Sequence, residues 1–291
     1  MTALLGEGVS TPLRISPESF RAFCRFITTE LGIKMSEAKI PLLQSRLQRR
    51  LRILQLDSID AYREYLFESP GGEAERVNFI DAVTTNKTDF FREPQHFEFL
   101  DQEALPSLEP RPVGDLPAPW LLKLWCAGCS TGEEPYTLAM VLSEFGQRRG
   151  RFDFSILGTD ISTRVLAHAE TAIYDEERID PVPPLLRGRY LLQSKDPEKA
   201  QVRIVPALRS RVRFHRLNFM DPEYPVRDVF DVIFFRNVMI YFDKPTQEAV
   251  INKLCRNLRP GGYLFVGHSE SLSGLRIPVE QVATAVYRRL G

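Results

Sequence analysis

No apolar run in the sequence approaches the ~20 residues a membrane-crossing helix needs. Its start, Met1 to Thr11, lacks the basic cluster and apolar core of a secretory signal. Charge of one sign is not in excess: 38 Lys and Arg stand against 38 Asp and Glu. No global field therefore draws the chain to nucleic acid or to an anionic membrane surface, and any electrostatic partner must be met by a local patch. Metal-ligating residue types are scarce, with 4 His and 4 Cys. Cys126 and Cys129 form a lone CxxC, which a zinc site or redox pair could use. No second CxxC or close His pair completes a tetrahedral site. Both cysteines also sit in a glycine loop that wants small residues, so packing is the better reading. We expect no metal and a cytoplasmic, monomeric protein.

What is present is ordinary globular material, 43% hydrophobic and 26% charged over 291 residues. That length suggests one large domain and a smaller one. Residues 1–14 read as a flexible tail. From Ser16-Pro17-Glu18 the pattern is helical, with Phe20, Phe23, Ile27 and Leu31 on one face and Gly32 as the stop. A second helix is expected over about Ser36–Leu54, with Leu43, Leu47, Leu51 and Leu54 aligned. Shorter ones follow around Ile59–Glu68 and Glu73–Val83. Residues 15–92 thus form an all-helical domain. A helix from Pro94 to about Leu108 and a proline-rich linker ending at Pro119 fill 93–119.

The pattern changes at residue 120. Apolar runs at Leu121–Cys126, Phe152–Leu157, Val212–Leu217, Phe230–Phe235, Tyr263–Gly267 and Ala285–Leu290 alternate with helices near Glu133–Phe145, Val165–Ala169 and Pro245–Leu258. Continuous apolar strands alternating with helices predict an α/β domain, 120–291, with a parallel sheet covered on both faces. An insertion at about 178–211 holds two strand-like runs, Tyr190–Leu192 and Val202–Val205. It is expected to form a small antiparallel flap.

The chemistry concentrates at predicted strand ends, where open parallel sheets bind ligands. The first strand runs into Cys126-Ala-Gly-Cys-Ser-Thr-Gly-Glu-Glu-Pro135. This is not the GxGxxG of a dinucleotide site, and Glu133 and Glu134 at the helix start would repel a pyrophosphate. A cofactor with a cationic centre and an amino group suits it better, and S-adenosylmethionine has both. Alternatively, the two glutamates only complement the helix dipole. Asp160 ends the second strand, where an acid can accept ribose hydroxyls or simply cap the next helix. Asn218 and Arg236-Asn237 end the third and fourth.

Four segments then carry a family resemblance: Thr84-Thr-Asn-Lys-Thr-Asp-Phe-Phe-Arg92, Ala127-Gly-Cys-Ser-Thr-Gly-Glu-Glu-Pro-Tyr136, Phe235-Arg-Asn-Val-Met-Ile-Tyr-Phe242 and Gly267-His-Ser-Glu270. In this order they resemble the CheR family of chemotaxis receptor methyltransferases, over about Ser16–Leu290. The resemblance implies a Rossmann-like S-adenosylmethionine-dependent methyltransferase domain behind an all-helical N-terminal domain. Its product would be a glutamyl methyl ester with S-adenosylhomocysteine. It implies that Asn86, Thr88 and Arg92 reach onto the cofactor, that Glu134 holds its methionyl end and Asp160 its ribose. Asn218 and Phe219 would flank the adenine, Arg236 and Asn237 would lie beside the cofactor, and Tyr241 near the transferring methyl. Read alone, Asn86 and Thr88 are a polar turn and Tyr241 a core aromatic.

Arg92, a planar fork, is then the candidate to orient an incoming carboxylate, with Tyr241 lining the transfer site. Lys39, Arg46, Arg49, Arg50 and Arg52 read either as a solvated helix face or, by the resemblance, as the surface that meets the acidic helices of a chemoreceptor's cytoplasmic bundle. In some members of the family that it resembles, the corresponding flap docks a receptor C-terminal peptide. Here, however, the flap turn Gln193–Lys199 has no glycine, where the family's peptide-docking flap has a glycine-rich one. His268 is expected to be structural. Three rivals are weaker. A DNA amino-methylase would want an Asn/Asp-Pro-Pro-aromatic run where Arg236–Met239 stands, and a C5-cytosine enzyme a cysteine in the site. A nicotinamide dehydrogenase lacks its glycine motif. A non-catalytic docking module fits poorly with intact Asn86, Arg92, Glu134, Asp160 and Tyr241.

Overall fold

The computed structural model describes residues 14–108, 120–196 and 198–291. The expected proline-rich linker and nearly all of the expected tail lie outside the described residues, as does Pro197 of the flap turn. The chain divides into two compact units, one through Thr84 and one from Thr85 to Gly291. The boundary falls before residue 92, because 85–92 pack with the second unit.

Among its described residues the first unit has four α-helices: α1 (Pro17–Leu31), α2 (Ile40–Leu54), α3 (Ile59–Glu68) and α4 (Gly72–Val83). Ser16 caps α1 by accepting from the Ser19 amide, and Gly32 ends it in the left-handed region at φ 66°. The predicted faces of α1 and α2 are buried at Phe20, Phe23, Ile27, Leu31, Leu43, Leu47 and Leu51, with Leu54 half-buried, and Tyr62, Leu66 and Phe79 of α3 and α4 complete the core. Phe23 stacks on Phe79 with ring centroids 5.3 Å apart. One buried carboxylate ties three helices together. Glu75 takes both arms of Arg50, at 2.8 and 2.6 Å, and the Tyr62 hydroxyl at 2.8 Å. Removing one partner of a buried pair of this kind costs about 3–5 kcal/mol.

The second unit opens with one continuous helical run. It comprises α5 (Gln95–Phe99), a π turn (Leu100–Ala104) and α6 (Leu105–Ser107). Then follow β1 (Trp120–Ala127), α7 (Glu133–Arg149), β2 (Phe152–Asp160), α8 (Thr163–Thr171), β3 (Ile173–Asp175), α9 (Pro184–Tyr190), β4 (Leu191–Gln193) and β5 (Gln201–Ile204). The remainder is α10 (Pro206–Arg209), β6 (Val212–Arg216), β7 (Phe230–Phe234), α11 (Lys244–Arg256), β8 (Leu258–Phe265), β9 (Val279–Ala283) and β10 (Val286–Arg289).

Seven strands form one sheet in the order β6-β2-β1-β7-β8-β10-β9. From β6 to β8 all pairs are parallel, as the apolar runs predict. β10 pairs antiparallel with both β8 and β9, so the sheet is mixed rather than wholly parallel. β9 escaped the sequence reading because Val-Glu-Gln-Val-Ala is a short, mostly exposed edge strand with no apolar run. β7 is buried at every position, and two apolar clusters cover the sheet. The flap is a three-stranded antiparallel sheet, β3-β5-β4, not a two-stranded one, because β3 from before the expected insertion pairs with β5. The chain order reverses between β1 and β7, which places a crevice at their carboxyl ends.

Candidate active site

The loop leaving β1 is shaped by its neighbours on both sides. The amides of Gly128 and Cys129 both donate to the Thr159 carbonyl of β2, at 2.7 and 2.9 Å. Gly132 sits at φ 96°, and a Cβ there would lie 2.8 Å from the Tyr174 hydroxyl and 2.9 Å from the Ala169 Cβ. Only glycine fits that turn. Cys126 and Cys129 are buried free thiols, and burial above all pushes both well above the usual thiol range. Both pack in the apolar interior, and the Cys126 thiol also donates to Glu134.

Asp160 closes β2, almost fully buried. Its two oxygens accept from the Ser130 amide at 2.9 Å and the Ser162 amide at 3.0 Å. It does not cap α8; Ser162 does, accepting from the Val165 amide. The acid is therefore held at the strand end by the glycine loop itself. Ser130 in turn donates its hydroxyl to the Asn86 carbonyl at 2.8 Å. That contact brings the segment 85–92 to the same end of the sheet.

The two glutamates at the start of α7 differ. Glu133 is buried, accepting from the Thr131 hydroxyl at 2.6 Å and from Arg178 at 2.5 Å. Glu134 keeps 14% exposure, accepts from the Cys126 thiol at 2.8 Å and pairs with Arg236 at 2.9 Å. Arg236, just beyond β7, is a hub whose two terminal nitrogens are both engaged, while its Nε is buried without a partner. Its guanidinium also donates to the Arg92 carbonyl at 2.5 Å and to Glu93 at 3.1 Å, and it lies 5.4 Å over the Phe97 ring. Replacing it with an apolar residue would leave two carboxylates facing each other, at about 3–5 kcal/mol.

Asn237 adopts φ 60° and is fixed from two sides. Its side-chain amide donates to Glu93 at 3.2 Å, and its backbone amide donates to Glu270 at 2.8 Å. Glu270 also accepts from the amides of Gly267 at 2.7 Å and Ile240 at 3.3 Å. Burial pushes Glu270 above the usual carboxylate range despite these amides. For Glu93 burial acts the same way, but the charge of Arg236 and the bonds from Asn237 and Arg236 outweigh it and hold the pKa low. His96, buried beside them, is driven by burial and then by Arg236 down to about 3, so it is neutral at physiological pH.

The expected residues therefore gather unevenly. At the carboxyl ends of β1, β2 and β7, Asn86 is joined to Asp160 through Ser130, Thr88 to Glu133 through Arg178, and Arg92, Glu134 and Asn237 meet around Arg236 and Glu93. Asn218 and Phe219 lie beyond the end of β6, next to Asp160 along the sheet, with Phe219 5.0 Å from the Phe235 ring. Tyr241 ends a 3₁₀ turn, Met239–Tyr241, half-buried in the loop that begins at Arg236. The five basic residues lie in the helical unit and are not alike. Arg49 and Arg52 are exposed. Arg50 is committed to Glu75, and Arg46 donates to the carbonyls of Val83 and Thr84. Lys39 donates to the Lys34 carbonyl at 3.2 Å.

Sequence reasoning gave no role to Glu93, His96, Arg178 or Glu270. Glu93 adjoins a quoted segment and Glu270 ends one, but nothing in their spacing says which loop each would pin. Glu93, His96 and His268 also bring potential metal-ligand atoms within 4.8 Å of one another. The Glu93 carboxylate there already serves Arg236, Asn237 and the His268 amide, whereas both ring nitrogens of His96 are buried without a hydrogen-bond partner.

The sheet order, the glycine loop and the acid-ended strands define a Rossmann-like methyltransferase fold. The model of the "CheR methyltransferase, SAM binding domain" matches residues 86–288, and that of the "CheR methyltransferase, all-alpha domain" matches 18–84. A "chemotaxis protein methyltransferase" of Borreliella burgdorferi is 38% identical over 95% of this chain and 96% of its own. "Chemotaxis protein methyltransferase 2" of Pseudomonas aeruginosa is 40% identical over 88% and 87%, and a Klebsiella aerogenes relative 39% identical over 90% and 86%. The chain belongs to the CheR methyltransferase family, and its cofactor is S-adenosylmethionine. Among the described residues no helix is long and apolar enough to cross a membrane.

Proposed function

We propose that the protein converts glutamate side chains on the cytoplasmic helical bundle of a chemoreceptor into methyl esters, releasing S-adenosylhomocysteine. The donor set at the strand ends suits the cofactor. Glu134 offers a carboxylate to its ammonium group and Asp160, oriented by two amides, one to its ribose hydroxyls. Asn218 and Phe219 border the adenine side, with Asn86 and Thr88 covering it from the adjoining segment.

The single observation that carries the acceptor assignment is the contrast between two arginines. The two terminal nitrogens of Arg236 are engaged by Glu93, Glu134 and the Arg92 carbonyl. Arg92, half-buried, donates to the Lys87 carbonyl at 3.1 Å and has no carboxylate partner among the described residues. It is the guanidinium left to receive an incoming carboxylate. S-adenosylmethionine supplies an electrophilic methyl on a sulfonium that leaves as a neutral thioether. A glutamate with pKa ~4.3 is already ionised, so no general base is needed. A carboxylate oxygen forms the new C–O bond as the S–C bond breaks, the electron pair stays on sulfur, and no proton moves. Arg92 and Tyr241 align the reacting groups for in-line displacement and exclude water.

Receptor recognition falls to the exposed Arg49 and Arg52, with Lys39, Arg46 and Arg50 supporting that helix face. β4, at the end of the order β3-β5-β4, offers a sheet edge to which a receptor C-terminal peptide can add as a strand. This work is cytoplasmic. The test is transfer of labelled methyl to a receptor cytoplasmic fragment, with peptide mapping. The reading predicts base-labile label on glutamate side chains. Label resistant to mild base, on lysine or arginine, overturns it.

A further inference from the structure

Arg178 stands in the 3₁₀ turn Glu176–Ile179, immediately after β3 of the flap, with Ile179 buried beside it. Its guanidinium joins three parts of the second unit. It donates to the Thr88 carbonyl at 2.7 Å, to Asp89 at 3.4 Å and to the buried Glu133 carboxylate at 2.5 Å. The segment 86–92 is otherwise tied at its ends, through Asn86 to Ser130, Phe91 to Thr137 and Arg92 to Arg236. Arg178 holds its middle. A second contact runs in parallel: Tyr174 of β3 packs edge-on against Phe90, centroids 5.0 Å apart, and donates to the Thr131 carbonyl of the glycine loop at 2.8 Å.

We propose that Arg178 is a positioning residue that fastens the flap to the Asn86–Arg92 segment, so that the flap and the cofactor site are energetically coupled. The inference rests on the reading that this segment covers the cofactor. One terminal nitrogen of Arg178 serves both the Thr88 carbonyl and the Glu133 carboxylate while the other reaches Asp89, a spread across a plane that an ammonium, a point donor, does not match. Coupling of this kind is reciprocal: if flap order favours cofactor binding, cofactor binding must order the flap by the same factor.

The test uses the full chain, S-adenosylhomocysteine titration and amide hydrogen exchange. For Arg178→Ala we expect the dissociation constant to rise about five- to tenfold, the lower end of coupling between two sites. Exchange in 85–92 should speed up, and the protection that ligand confers on Ile173–Asp175 in the parent should shrink. Arg178→Lys should fall between the two, and it replaces Arg178→Ala if that variant does not fold. A lowered melting temperature with affinity and ligand-induced flap protection unchanged means a purely structural role and overturns the proposal. So does a parent protein in which ligand leaves flap exchange untouched. Weakened binding in Asp160→Ala alongside either result would leave the cofactor site standing, so the two failures are distinguishable.

Discussion

At the scale of single residues, the site separates groups that carry charge balance from groups free to meet a substrate. Arg236 sees two carboxylates and a carbonyl; Arg92 sees one carbonyl. Arg92→Lys keeps the charge and loses the fork. We expect kcat on a receptor fragment to fall at least about tenfold, the value of one lost charge-assisted bond, with little change in cofactor affinity. Steady-state kinetics beside calorimetry separates the two, and full turnover in the variant contradicts the orienting role. Which arginine is free was not legible in the sequence. Arg92 and Arg236 both sit in recognisable segments, but Glu93, which fills one of them, was hidden as an ordinary residue before a helix start. Asp160 was more readable: it is an acid at the end of an apolar run, with Ser162 available to cap the helix in its place.

At the scale of elements, the loop after β7 is the part whose shape the sequence could not supply. Asn237 in the left-handed region and the turn ending at Tyr241 are held by Glu270 from the loop after β8. Glu270→Ala leaves three backbone amides without their acceptor, which costs about 2–3 kcal/mol. Thermal unfolding should register that loss, and kcat should fall as Tyr241 and Asn237 lose their register. Unchanged stability and turnover would mean the loop holds its shape without the carboxylate. The strands beneath were legible for a plain reason, since central parallel strands are continuous apolar runs. β9 and the recruitment of β3 into the flap were not, because short edge strands are specified by pairing rather than by composition.

At the scale of the whole molecule, net charge is zero, so recognition of an acidic receptor surface must be local. Arg49 and Arg52 are the exposed pair of the five basic residues; Arg46 and Arg50 hold the helical unit together. Arg49→Glu with Arg52→Glu should weaken receptor binding and flatten its salt dependence, while leaving the fold intact. Binding titrations from low to high salt check this, and an unchanged salt slope contradicts the docking role. The spacing of arginines on α2 announced a basic face but could not say which members were already spent on Glu75 or on the end of α4.

The central claim is that the polar ends of β1, β2 and β7 form the cofactor site, and calorimetric titration of the parent and Asp160→Ala with S-adenosylmethionine and S-adenosylhomocysteine tests it most directly. The account predicts saturable binding of both ligands to the parent, weakened by about a hundredfold or more in the variant, as two hydrogen bonds to a charged acceptor are lost. Equal affinity in a folded Asp160→Ala protein would contradict it.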